Sequence, residues 1–153
     1  MPTVDCGFPD VPGPERRPLL VDVGPTVPVQ IGFDPGFDEF VGFGPDLSPD
    51  LFPALVDTGA SANCIDADLA VGLRLPVIDN DSEIVGSAGP HFVDIYLAQI
   101  HIPGLERTIN GRFTGVRLAA GGQLHRAILG REFLRDLVLH YDGLSGEVTI
   151  SSD

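Results

Sequence analysis

The chain has 153 residues, 43% of them hydrophobic, and a formal net charge of −13 at pH 7. One domain of that size buries about 70% of its unfolded surface, so its core needs neither metal nor disulfide. The negative charge argues against nucleic acid as partner, because a phosphate backbone calls for a basic face. Cys6 and Cys64 are too few for a disulfide framework and too far apart for metal-ligand spacing.

The opening MPTVDCGFPD lacks the basic start and apolar core of a signal peptide. No apolar run approaches the ~20 residues that span a bilayer, so no membrane segment is expected and a reducing cytoplasm is the expected compartment. Eleven of the fourteen prolines precede Ala54, making the first third loop-rich and the rest regular. Residues 1–17 read as an extended arm or as disorder, which sets an N-terminal arm over 1–18 before a domain over 19–153. Leu19 to Phe33 reads as strand, alternating at Val27, Val29 and Ile31, with its prolines confining it to an edge or a bulge. From Phe33 to Asp46 the chain is rich in glycine and phenylalanine, and these rings are expected to fold back on the body or meet a partner.

Then comes ALVDTGASANCID, Ala54 to Asp66: an apolar strand ending in an acid, with glycine two residues later. Gly59 permits a sharp turn, and Ala60 and Ser61 are small enough for a ligand chain to pass close. Short strands follow around Val77 and Ile84, then long alternating runs through Phe92, Asp94, Tyr96 and Ala98 and through ERTINGRFTGVRL. HRAILG is a strand ending in Gly130. REFLRDLVL has Phe133, Leu134, Leu137 and Val138 at helical spacing, the one expected helix, and HYDGLSGEVTI closes with a turn and a strand. The fold expected is mostly β, with one short C-terminal helix.

The segment Asp57-Thr58-Gly59-Ala60-Ser61 after Ala54-Leu55-Val56 resembles the active-site loop of aspartic proteases. AILGREFL, Ala127 to Leu134, resembles the apolar-apolar-glycine segment and helix of the single-lobe, retropepsin-like members, and ALVDTG echoes AILGRE as two similar halves would. Arg17 to Val21 and Val29 to Gly32 fit that family's opening strands, and Ile84 to Ile100 fits its flap hairpin. The stretch from Phe33 to Phe52 is longer than in retroviral members, which brings the resemblance closer to bacterial ones. It implies a closed, barrel-like β lobe.

A single Asp-Thr-Gly occurs in the chain. The family's chemistry needs two facing carboxylates, so the resemblance implies a homodimer with both Asp57 residues on the two-fold axis. The pair would share one proton, activate a water for attack on a peptide carbonyl, and need no metal or organic cofactor. By the same resemblance Thr58 and Gly59 support the loop, with Thr58 bonding to the partner's loop. Gly59, Ala60 and Ser61 would bind an extended polypeptide as an added strand, under a flap tip at Gly86-Ser87-Ala88-Gly89. Ile128, Leu129, Gly130 and Arg131 would form the structural second motif, with Arg131 bracing the helix and loop; the acid that often pairs with it is replaced by Ser61.

Blander readings stand beside these. Asp57 on its own could be a solvated turn former, and Asp79 to Glu83 reads as an acidic turn, lacking the glycine and distal glutamate of a calcium loop. Asp66 and Asp68 are expected to cap or precede a short turn, and Cys64 to be a small buried hydrophobe. Four scattered histidines make a zinc site a poor expectation. The alternative to an endopeptidase is a protease-fold dimerisation or peptide-binding module that has lost turnover.

Overall fold

The computed structural model of the chain describes residues 2–86 and 89–152. Thr3–Asp5 form β1 and Gly13–Asp22 form α1, which corrects the extended or disordered arm expected over residues 1–17. The partners of β1 lie at the other end of the chain, Thr3 to Asp5 facing Ser151 to Thr149, and no local pattern reports such a pairing. Pro14 sits in the first turn of α1, where its missing N–H has no partner to lose. The helix buries Leu20 and ends where Val23 and Gly24 both donate to the Leu19 carbonyl, Gly24 at φ +89°. Arg17 to Val21, expected as an opening strand, is therefore helix, and the 18/19 boundary falls inside it.

β2 (Thr26–Gly32) follows, burying Val27, Val29 and Ile31. Its prolines do not confine it to an edge: it pairs with β3 (Phe52–Val56) through Thr26 to Val29 and with β6 (Gly89–Ile102) through Gln30 to Gly32. Val56 N–H donates to the Pro25 carbonyl, and in antiparallel alternation this puts Pro28 opposite Pro53 at a non-hydrogen-bonded position. Neither proline deprives the ladder of a bond.

β4 (Cys64–Asp66) leads into α2 (Ala67–Gly72), followed by β5 (Val77–Gly86), β7 (Arg107–Val116) and β8 (Ala127–Leu129). The order β2-β3-β8-β4-β7-β6, with β6 returning to β2, closes a six-stranded barrel, and β5 adds outside β6. β3 runs parallel to β8, and β4 parallel to β7. Tyr96, Ala98, Ile100 and Ile102 of β6 face the buried interior with Phe113 of β7. The expected mostly-β, closed-barrel architecture is the one found.

Helices are more numerous than expected and the C-terminal one is shorter. α3 spans only Arg131–Leu134, because Asp136 takes φ +69° and the chain leaves the helix there, with Leu137 and Leu139 packing against the core beyond it. β9 (Val138–Asp142) and β10 (Glu147–Ser151) form a hairpin that continues into β1 as a second, three-stranded sheet. Residues 79–83 belong to β5 rather than to a turn, with register shifts on either side of Asp79. Phe33 and Phe52 pack half-buried against the core, whereas Phe40 and Phe43 are 89% and 80% exposed rather than folded back. Among the described residues no helix is long and apolar enough to cross a membrane.

Candidate active site

Asp57 stands where β3 ends. Its backbone N–H donates to the Leu129 carbonyl at 2.9 Å, so the parallel pairing of β3 with β8 continues one residue into the loop. The Gly59 N–H donates to Asp57 Oδ1 at 2.8 Å and orients the half-buried carboxylate. A Cβ on Gly59 would lie 3.0 Å from that same oxygen, so a side chain there would press on the acid. Glycine thus spares the acid this contact, and its φ is outside the left-handed region.

The loop is clamped from below by the second motif. Arg131 N–H donates to the Ala60 carbonyl at 2.8 Å, Glu132 N–H to Ser61 at 3.1 Å, and Arg131 Nη1 to the Thr58 carbonyl at 2.7 Å. With Ser61 in place of an acid, the guanidinium holds backbone. Gly130 lies so close beneath that a Cβ would stand 2.6 Å from the Ala62 carbonyl oxygen and 2.7 Å from that of Ala60. Ile128 and Leu129 carry β8 between β3 and β4, pairing with Leu55, Val56 and Cys64. Thr58, Gly59 and Ser61 are exposed and Ala60 half-exposed, and among the described residues nothing bonds to the Thr58 hydroxyl.

Two further residues complete the support: Asn63, which sequence reasoning did not place, and Asp66, which it expected only as a cap. Asn63 is buried, and its Oδ1 accepts from Gly130 N–H at 2.9 Å, tying the two motifs together through a side chain. Asp66, fully buried, accepts from Leu69 N–H as the α2 cap, from Leu118 and Ala119 N–H, and from the Arg126 guanidinium. Burial alone would raise its pKa, but the Ala119, Leu69 and Leu118 N–H groups and the Arg126 charge outweigh it and hold the carboxyl below the usual range. The capping role was legible in sequence; the grip on residues 118–126 was not, because it spans more than 50 positions.

Cys64 is half-buried rather than buried, and its thiol is pushed up by burial and then by the Asp57 charge. Cys6 is fully buried, and burial with the Asp5 charge pushes it up to about 12. β5 and β6 form the hairpin expected as a flap, closing through a Gly86–Gly89 pair with Gly89 at φ +100°. Ser87 and Ala88, expected at its tip, lie outside the described residues. Among the described residues no three His, Cys, Asp or Glu side chains converge as metal ligands.

No family model and no curated protein matches the chain. Among solved structures it is similar to EIAV protease in complex with the inhibitor HBY-793, at 21% identity and a TM-score of 0.49, over 73% of this chain and 86% of that one. It is also similar to the Simian Foamy Virus (mac) protease, at 13% identity and a TM-score of 0.46, over 72% of this chain and 91% of that one.

Proposed function

We propose that this chain is a retropepsin-like aspartic endopeptidase that acts as a homodimer. The observation that carries this reading is the clamped Asp57 loop: an acid at a strand end, oriented by Gly59 N–H and seated on Gly130 and Arg131. Such a framework fixes a carboxylate at an exposed surface, where a merely solvated acid would need no clamp. Because the chain carries one Asp-Thr-Gly, the second carboxylate comes from a second copy.

In the dimer the two Asp57 carboxyls share one proton across the two-fold axis, since like charges at contact distance do not both ionise. The ionised member takes a proton from a water lying between them, and the water oxygen attacks the peptide carbonyl carbon. The protonated member gives its proton to the carbonyl oxygen, forming a tetrahedral diol. Collapse breaks the C–N bond, with one carboxyl protonating the leaving nitrogen and the other recovering the proton from a diol hydroxyl. The Thr58 hydroxyl bonds to the partner's loop and keeps the two acids level. Backbone groups of Gly59, Ala60 and Ser61 hold the substrate extended, and the β5–β6 hairpin closes over it.

The test is incubation of the protein with an unfolded polypeptide between pH 3 and 7, beside Asp57→Asn. Cleavage strongest at mildly acidic pH, second order in protein at low concentration and absent in the variant, is the expected result. Equal cleavage by both proteins would remove Asp57 from the catalysis, and none by wild type at concentrations where it is dimeric would leave a peptide-binding module of the same fold in its place.

A further inference from the structure

A groove of about 580 Å³ runs between residues 3–11 and the 3-10 turn Pro103–Leu105, over the outward-facing Thr26 and Pro28 of β2. Phe8, Pro9, Pro28, Leu51 and Pro103 give it apolar walls, and among the described residues its charged lining side chains are Asp5 and Asp10. Among the described residues none of the Asp57 loop, of the second motif or of the β5–β6 hairpin lines it, so it is separate from the candidate active site.

Both walls are held in place. Gly7 presses on the turn before β10, where a Cβ would stand 2.6 Å from the Gly146 carbonyl oxygen. Phe8 follows at φ +59°, a left-handed backbone that a bulky side chain seldom adopts. Val11 N–H donates to the Phe8 carbonyl, and the Arg16 guanidinium donates to the Pro9 and Val11 carbonyls at 2.9 and 2.8 Å. On the far wall, Gly104 leaves room for Val4, which a Cβ would meet at 3.0 Å. Strained backbone persists where its surroundings over-determine it, and such positions cluster at ligand sites.

The chemistry of the walls selects the ligand. Pro9, Pro28 and Pro103 have no N–H, so the groove presents flat apolar faces with few donors. Among the described residues the charged side chains that line it are both acidic, Asp10 exposed at the rim and Asp5 accepting from Gly7 N–H on Oδ1 at 2.8 Å, while the Arg16 guanidinium, which is not in the lining, is occupied by the Pro9 and Val11 carbonyls. Leu51 is left 55% exposed beside it. Proline and aromatic faces lining a shallow trench suit an extended polypeptide, whose polyproline-type backbone is already ordered.

We propose that this groove binds an extended polypeptide segment carrying an arginine or lysine beside proline or leucine. The cation sits between Asp5 and Asp10, and its apolar neighbours lie on Phe8, Pro28 and Leu51. The site does not depend on catalysis at Asp57, and its test uses the Asp57→Asn chain beside wild type so that cleavage cannot consume the probe.

The probe is a fluorescein-labelled hexapeptide of alternating leucine and proline with one central arginine, followed by anisotropy; control peptides carry glutamate for arginine, or serine for leucine. Saturable binding of the arginine peptide is expected, about tenfold weaker in Asp10→Asn, weaker again with added salt, and lost in Leu51→Ser and Phe8→Gly. Asp10 and Leu51 are exposed, so those two variants report on binding rather than folding. Equal binding of the glutamate peptide, full affinity in Asp10→Asn and Leu51→Ser together, or no binding of any peptide at millimolar concentration overturns the proposal.

Discussion

Asp57 and Asp66 stand nine residues apart on either side of one short loop and strand, and their surroundings are opposite. Asp57 is half-buried at a turn and takes one backbone N–H on one oxygen. Asp66 has no exposed surface and takes three backbone N–H groups and a guanidinium. The first carboxylate keeps an oxygen for something outside the chain; the second is consumed by the fold. An acid's chemistry is thus set by how many donors the backbone aims at it, and the two should part company when each is altered.

The largest contrast is in catalysis. Asp57→Asn should lower peptide cleavage by at least about 10³-fold while moving stability by no more than ~0.5 kcal/mol, read by a cleavage assay and a urea melt on the same sample. Asp66→Ala should do the reverse in kind: it leaves three N–H groups and the Arg126 charge buried without their acceptor. A loss of about 3–5 kcal/mol is expected, and an unchanged melt would show that water replaces the carboxylate. Gly130→Ala comes next, because its Cβ would stand 2.6 Å from the Ala62 carbonyl oxygen. Overpacking of that kind costs about 1–3 kcal/mol and should also reduce cleavage, since the strain falls on the loop that carries Asp57.

Acid should separate the two regions as well. The native pKa of Asp66 is lowered, so its stabilisation is full above an unfolded value of about 3.9 and is lost as pH falls through the native value. His125 is buried, its Nε2 lies 2.8 Å from the Thr26 hydroxyl, and burial lowers its pKa. The unfolded chain therefore takes up that proton first, and stability begins to fall below about pH 6.5. Melts of wild type from pH 7 to 3 should show two acid-side losses; His125→Gln removes the upper one and Asp66→Asn the lower. The smallest expected effect is Arg131→Leu, which removes one exposed bond to Thr58 for about 1 kcal/mol and is checked by comparing its melt with its KM.

Much of the barrel was legible because its strands carry their own alternation: Val27, Val29 and Ile31 on β2, and Tyr96, Ala98, Ile100 and Ile102 on β6, are buried as their period of two requires. The Asp57 loop and the Gly130 motif were legible as a pair of echoing segments, and the structure brings them into contact through Arg131, Glu132 and Asn63. Residues 13–22 were read as arm and strand because two prolines, Pro14 and Pro18, hide a helix whose first turn tolerates Pro14. The helix after Gly130 was read too long because Leu137 and Val138 keep helical spacing by coincidence, while Asp136 at φ +69° ends the helix before them.

The sequence by itself determined the local facts: which strands alternate, where a carboxylate meets a strand end, and that this acid occurs once in its motif. Only the tertiary structure decided which residues serve that acid and which groove lies apart from it. The clamp joins positions more than 60 apart, the Asp66 grip more than 50, and β1 reaches the last strand of the chain. Contacts at such separations leave no periodic trace in the chain, because they depend on barrel closure and not on the residues between.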